Sequence, residues 1–485
     1  MSVPGWRAVA PPLVWLALVL VPSPVGLPPR AWSYFALFVA VVVGLILEPI
    51  PAAAIGLIGV TAAGIGRLVE TSPSASVAWA LSGFQDRTVW LIFGAFVFSI
   101  GYGKTGLGRR VALLLVRKLG GRTLGLGYAI ALADLALAPG MPSNTGRSAG
   151  TIFPVIRSIP GLYGSEPGPS ARRIGAYVMW TAFAATAVTS SMFVTALAPN
   201  AAALAIVKQA AGLDVSWTAW LFGFWPIGVL LLALVPLLVY VVYPPEIRTS
   251  REVPAWAAEE LRRMGAVGRP ERVMAALVVL AVVLWVVGSN ADVTLPLLGS
   301  QFIDPTGVVL LAIALMLVTR VIDWDDVLAS KGAWNVLVWF ATLVALADGL
   351  NRVGFVSWVA RGLAARLAGL PPLAAMAFLV VFYFLVHYMF ASLTAHAAAV
   401  LPVVLATGMA VPGLPVKVFA LLLLYSLGLM GVLSPYATGP APIYYGSGYV
   451  SRRDFWVLGL VFGAIYLAVL LGVGIPYLTS VNPLG

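Results

Sequence analysis

The sequence predicts an all-α polytopic membrane protein with about eleven transmembrane helices, two inverted repeats and two re-entrant hairpins. Three observations carry that reading. The chain of 485 residues is 61% hydrophobic and only 10% charged, with a mean hydropathy of +0.99, far more apolar than a soluble domain. Its apolar runs are long enough to cross a bilayer, which takes about 20 helical residues each. Finally, features of the first half recur in the second at a nearly constant offset.

The recurrence centres on Pro142 to Gly150, P-S-N-T-G-R-S-A-G, which lies between two apolar arms each too short to span a membrane. A counterpart lies 249 residues downstream, where Ser392, Leu393, Thr394, Ala395 and His396 follow Ser143, Asn144, Thr145, Gly146 and Arg147. Each copy has a hydroxyl, a second hydroxyl two places on, then a basic side chain. Lys104, Gly106, Val111 and Ala112 precede Arg352, Gly354, Val359 and Ala360 by 248 residues. T-A-L-A-P-N (Thr195 to Asn200) recurs as T-G-P-A-P-I (Thr438 to Ile443) at an offset of 243. Matches in the same order at nearly one offset mark an internal duplication, the signature of an inverted-repeat transporter with its site between the repeats.

In chain order, residues 1–30 form an N-terminal transmembrane helix. The stretch 12–28 resembles a signal peptide, but no A-x-A cleavage site precedes the next apolar run, so it is read as a retained span. The first repeat, 31–243, contains spans near 31–48, 51–67 and 88–104, then a loop carrying Lys104, Arg109, Arg110, Arg117, Lys118 and Arg122. That density of positive charge places the loop, and with it the N-terminus, in the cytoplasm of a cell-membrane protein. Residues 124–157, interrupted by Pro139, Gly140 and Pro142 and flanked by arginines on both sides, read as a re-entrant hairpin. A span broken around 190–200 and a sixth span at 217–243 complete the repeat.

Residues 244–272 mix arginine and glutamate and form a cytoplasmic linker with an interfacial helix near 255–264. The second repeat, 273–485, follows the same order: spans near 273–289, 306–322 and 334–350, a hairpin at 372–410, a broken span at 415–450 and a last span at 455–477. Its counterpart of the basic loop, 351–371, carries only Arg352, Arg361 and Arg366, and this asymmetry agrees with opposite orientation of the two halves.

A helix that restarts at a hairpin tip aims free N–H groups and a positive dipole end at whatever sits there, so the two tips form an anion cradle. Arg147 adds a charge able to pair a carboxylate, and His396 adds a titratable one. Two such tips meeting near the midplane suit a ligand with separated negative groups, a di- or tricarboxylate. Pro199 and Pro442 kink their helices beside Thr195 and Thr438 and favour a cavity there. Ser143 and Thr145 are also suited to capping a helix, and Asp134 to orienting or neutralising Arg147. His387 reads as structural.

The chain resembles the divalent anion/sodium symporter family, also called the INDY or dicarboxylate transporter family. The paired hairpin signature, the T-x-x-x-P breaks, the eleven spans and the inverted repeats carry the likeness. The resemblance implies that Ser143, Asn144, Thr145, Ser392 and Thr394 bind substrate carboxylates, with Leu393 standing where asparagine is usual. It also implies sodium sites near Thr195 and Thr438, a homodimer and an elevator-like motion. S-L-T-A-H is similar to the citrate/succinate and tartrate/succinate exchanger branch. Arg147 and His396 stand where sodium would be held, and they are read as fixed cations replacing it. The expectation is a sodium-independent obligate exchanger of the succinate, malate, 2-oxoglutarate and citrate class, with sodium or proton symport as the alternative.

Other classes fare worse. The basic residues that give the net charge of +11 are scattered among apolar spans, so no nucleic-acid partner is expected; membrane lipid is. Gly101 to Gly106 matches G-x-G-x-x-G by letter but follows a membrane span, outside the strand-to-helix context that a dinucleotide site needs. No H-E-x-x-H or cysteine is present, so no enzyme, cofactor or metal site is expected.

Overall fold

A computed structural model describes residues 5–288, 294–295, 299–300, 302–367 and 369–481. The ends of the predicted segments that fall at 1–4, 289 and 482–485 lie outside the described residues. The architecture is helical throughout, apart from a two-residue antiparallel pairing of Thr294–Leu295 with Gly299–Ser300. Among the described residues eight helices are long and apolar enough to cross a membrane, and five shorter apolar helices pack among them. Exposed Leu13, Phe222, Val241, Val279 and Leu460 give these helices apolar outer faces, as lipid contact requires.

Both predicted hairpins are helix, break, helix. The first runs Thr123–Leu137, a 3₁₀ turn at Ala138–Gly140, a π-helix at Thr145–Ile152 and a short helix at Phe153–Ile156. The second runs Pro372–Val386, a 3₁₀ turn at His387–Met389 and Leu393–Met409. Pro139, Gly140 and Pro142 stop the first arm because proline has no N–H to give the ladder. Each broken span is likewise two helices around a break: Gly175–Met192 and Ala198–Ala211 around the 3₁₀ turn Val194–Ala196, and Val416–Leu429 and Ala441–Gly446 around the 3₁₀ turn Met430–Val432 and the non-helical stretch that follows it. The two cross in the core, where the Ser191 hydroxyl donates to the Tyr425 carbonyl at 2.7 Å.

Matching positions of the duplication adopt matching backbone. Gly106 ends the helix Arg87–Thr105 at φ +75°, and Gly354, 248 residues later, follows the helix Lys331–Arg352 at φ +82°. A left-handed φ is open to glycine at little strain, which is why the same residue recurs at both helix ends.

Two expectations need correction. The basic loop after residue 104 is the helix Leu107–Leu119, and the 351–371 loop contains the helix Phe355–Leu367. The first buries Ala112, Leu113 and Val116 on one face and turns Arg109, Arg117 and Lys118 outward, so dense charge masked a 3.6-residue apolar stripe. The linker helix begins earlier than expected, at Glu252–Arg263, and packs on Leu107–Leu119 through Arg109–Glu260 at 2.7 Å; Arg110 pairs with Glu271 just beyond it. Sequence reasoning missed the helix Pro73–Leu81, whose start is capped by the Ser72 hydroxyl.

Candidate functional site

The two hairpin tips are built alike. The Ser143 hydroxyl accepts the Gly146 N–H at 3.1 Å, and the Ser392 hydroxyl accepts the Ala395 N–H at 3.3 Å. One residue on, the Arg147 and His396 N–H groups donate to the Ser143 and Ser392 carbonyls at 2.8 and 3.0 Å. Both serines therefore cap their helices, and each hydroxyl keeps its own hydrogen to donate elsewhere.

The tips meet at one place. A cavity of about 340 Å³ is lined by Ser143, Asn144, Pro199, Ser392, Leu393, Thr394 and Thr438, with Pro142, Ala198 and Gly439 from the same breaks. A second cavity of about 290 Å³ adjoins it and shares Glu48, Ala198, Ser392 and Thr394, adding Asn335 and Trp339. These volumes match a small organic ligand. The first tip is fastened to the second break: Asn144 Nδ2 donates to Thr438 Oγ1 at 2.8 Å, and the Ser148 and Tyr444 hydroxyls lie 2.9 Å apart.

Thr145, Thr195 and Pro442 stand outside this lining. Thr145 Oγ1 lies against Gly439, where a Cβ would come within 1.9 Å of it. The Thr195 hydroxyl accepts the Trp217 indole N–H at 3.2 Å.

Arg147 requires the largest correction. Its guanidinium is fully buried and donates to Asp134 Oδ2 at 3.1 Å, to the Met141 and Ala196 carbonyls at 2.9 and 2.8 Å, and to the Thr189 and Ser190 hydroxyls at 3.3 and 3.2 Å. A guanidinium has five N–H bonds, and all five are committed to the protein. It is therefore not offered to a ligand carboxylate, and Asp134 neutralises it. The Thr186 and Thr189 hydroxyls also donate to Asp134. Arg147 nonetheless occupies a cage of carbonyl, hydroxyl and carboxylate oxygens at the hairpin tip.

His396 is also behind the cavity wall. Its ring lies 4.5 Å from Tyr383, 5.1 Å from His387 and 5.1 Å from Phe390, centroid to centroid. Neither ring nitrogen has a hydrogen-bond partner, nor does the Tyr383 hydroxyl or His387 Nδ1. His387 Nε2 meets the Ala437 carbonyl at 2.8 Å.

Sequence reasoning missed Glu48, Phe96 and Asn335. Glu48 is the sole ionisable residue lining the larger cavity, among the described residues. The available signal was an acid followed by Pro49 and Pro51 between two apolar runs.

Paired helix restarts around a ligand-sized cavity, on an all-helical membrane scaffold, are the arrangement of a transport protein. The profile of the sodium:sulfate symporter transmembrane region matches residues 3–482, and the chain belongs to that family, the divalent anion/sodium symporters. It is 48% identical over 490 aligned positions to the citrate/succinate antiporter of Escherichia coli (strain K12), covering 98% of each chain. It is 44% identical over 493 positions to the L-tartrate/succinate antiporter of Shigella sonnei (strain Ss046), covering 99% of each. The Alcanivorax borkumensis YdaH transporter shares the fold at a TM-score of 0.61 and 16% identity, covering 94% of this chain and 100% of that one.

Proposed function

We propose that the protein exchanges di- and tricarboxylates of the succinate, malate, 2-oxoglutarate and citrate class across the bacterial inner membrane without sodium. The observation that carries this is the cavity in which the Ser143–Asn144 and Ser392–Thr394 tips face one ligand-sized space, in a chain nearly half identical to two dicarboxylate antiporters. Each tip would take one carboxylate through its serine or threonine O–H and the free N–H groups of its restarting helix.

Sodium independence is supported by the cage around Arg147, where a guanidinium stands among oxygens of the kind that would otherwise hold a cation. Asp134 cancels the charge of Arg147, so the fixed cation by itself gives no reason for exchange. The donors at the two tips supply it instead. With no dianion bound, moving them through the membrane would leave them unpaired, at about 1–3 kcal/mol each. A loaded carrier avoids that penalty, so outward and inward steps both require cargo.

In this reading the inverted repeats span 31–243 and 273–485, joined by the cytoplasmic linker 244–272 after the N-terminal helix within 1–30. The N-terminus is cytoplasmic, and the hairpins move against a fixed scaffold in a homodimer by an elevator-like motion. Labelled succinate counterflow in proteoliposomes tests the central statement. Uptake should require internal dicarboxylate and be unchanged when sodium is replaced by choline; strict sodium dependence would reject it.

One observation favours a second reading. The unpartnered nitrogens of His396 and His387 leave room for a proton, which would allow proton-coupled symport. Uptake into vesicles without internal substrate, driven by a pH gradient alone, would support that reading over exchange.

A further inference from the structure

We propose that Glu48 selects the transported acid by its hydroxyl group, favouring hydroxylated dicarboxylates over plain ones. This rests on the exchanger reading above and deepens it.

Glu48 ends the helix Pro29–Leu47 and lines both cavities, as Ser392 and Thr394 do. Its backbone is left-handed, at φ 45° and ψ 53°, although it precedes Pro49. Glycine tolerates that conformation and glutamate resists it, and such strain concentrates at functional positions. The side chain is exposed to the cavity, and among the described residues no cation stands within 4 Å of its carboxylate.

The tips are donors. Ser143, Asn144, Ser392, Thr394 and two helix starts match carboxylate oxygens, which only accept. Glu48 is the reverse: a carboxylate that presents acceptor oxygens, in a cavity meant for an anion. A ligand made solely of carboxylates and methylenes has nothing to give it and is repelled. A ligand with a hydroxyl between its carboxylates can hold both ends in the tips and donate that O–H across to Glu48. A polar group that stays unpaired with one ligand and paired with another discriminates strongly between them. Asn335, which lines the smaller cavity with it, can take either role and does not impose this choice.

The experiment uses the full chain purified in detergent and measures dissociation constants for L-malate and succinate from ligand-dependent thermal stabilisation, which needs no transport. Two variants are compared with the parent. Glu48→Gly removes the side chain and suits the left-handed backbone; Glu48→Gln keeps the shape and removes the charge. The parent should prefer L-malate, and the malate-to-succinate ratio should fall about tenfold in Glu48→Gly, the loss expected for one charge-assisted hydrogen bond, and by a smaller factor in Glu48→Gln. A ratio within twofold of the parent in both variants overturns the proposal, as does a parent that prefers succinate. If no dicarboxylate stabilises the parent, the exchanger reading fails and the proposal with it.

Discussion

The Arg147 guanidinium donates to the Asp134 carboxylate at 3.1 Å, and both side chains are sealed from solvent. Thirteen positions separate them, the same spacing that separates Tyr383 from His396 on the second hairpin, 249 residues along. One hairpin carries a buried ion pair, and the other, at the same positions, a tyrosine against an imidazole. Breaking a buried pair leaves an uncompensated charge and costs about 3–5 kcal/mol. Asp134→Asn and Arg147→Met should each lower the melting temperature sharply in detergent. The double variant Asp134→Leu/Arg147→Met should melt above either single one, because no lone charge remains. Additive losses would show that the pair is not energetically coupled.

Gly439 is required by closeness. A Cβ there would come within 1.9 Å of Thr145 Oγ1, prising the first hairpin tip from the second break. Gly439→Ala should abolish counterflow and destabilise the protein by about 1–3 kcal/mol, as overpacking does. Adding Thr145→Ala removes the offending oxygen and should recover most of the lost melting temperature; no recovery would place the strain elsewhere.

Asn144 and Ser392 approach the ligand from opposite tips. Asn144→Ala also strands the Thr438 hydroxyl, and Ser392→Ala deletes a helix cap, at about 1 kcal/mol each. Both should raise the KM for succinate by about tenfold or more while leaving a folded protein, read from counterflow rates against substrate concentration. An unchanged KM in both would move the site away from the tips.

His396 makes no hydrogen bond through its ring, so His396→Leu should cost less than about 1.5 kcal/mol of stability. Counterflow should stay within about twofold of the parent, because the ring lies behind the cavity wall among Tyr383, His387 and Phe390. A loss of about tenfold or more would give this ring a part in transport and favour proton coupling.

Much of this arrangement was legible in the sequence because it is written in local signals. Pro139, Gly140 and Pro142 announce a break between two helices, and serine three residues ahead of a free N–H announces a cap; both are present. The direction of Arg147 was not legible. Its partners Asp134, Met141, Thr189 and Ala196 come from two segments separated by breaks, and only the fold decides which way a π-helix turns a long side chain. Thr195 and Thr438 look equivalent in sequence, yet one hydroxyl binds an indole and the other an asparagine amide. Glu48 was overlooked because an acid ahead of two prolines does not disclose the cavity it lines. The helix Leu107–Leu119 was read as loop because its charges drew attention away from its buried stripe.

Arg147 behaves as a rivet. Five bonds from one rigid plane join the arm that carries Asp134, the tip at Met141, and both sides of the break between Thr189 and Ala196. Such a joint has no slack for these stretches to slide or hinge past one another. Whatever displacement carries cargo from one face of the membrane to the other, they must ride as one block, and any hinge has to lie in chain that the guanidinium does not touch.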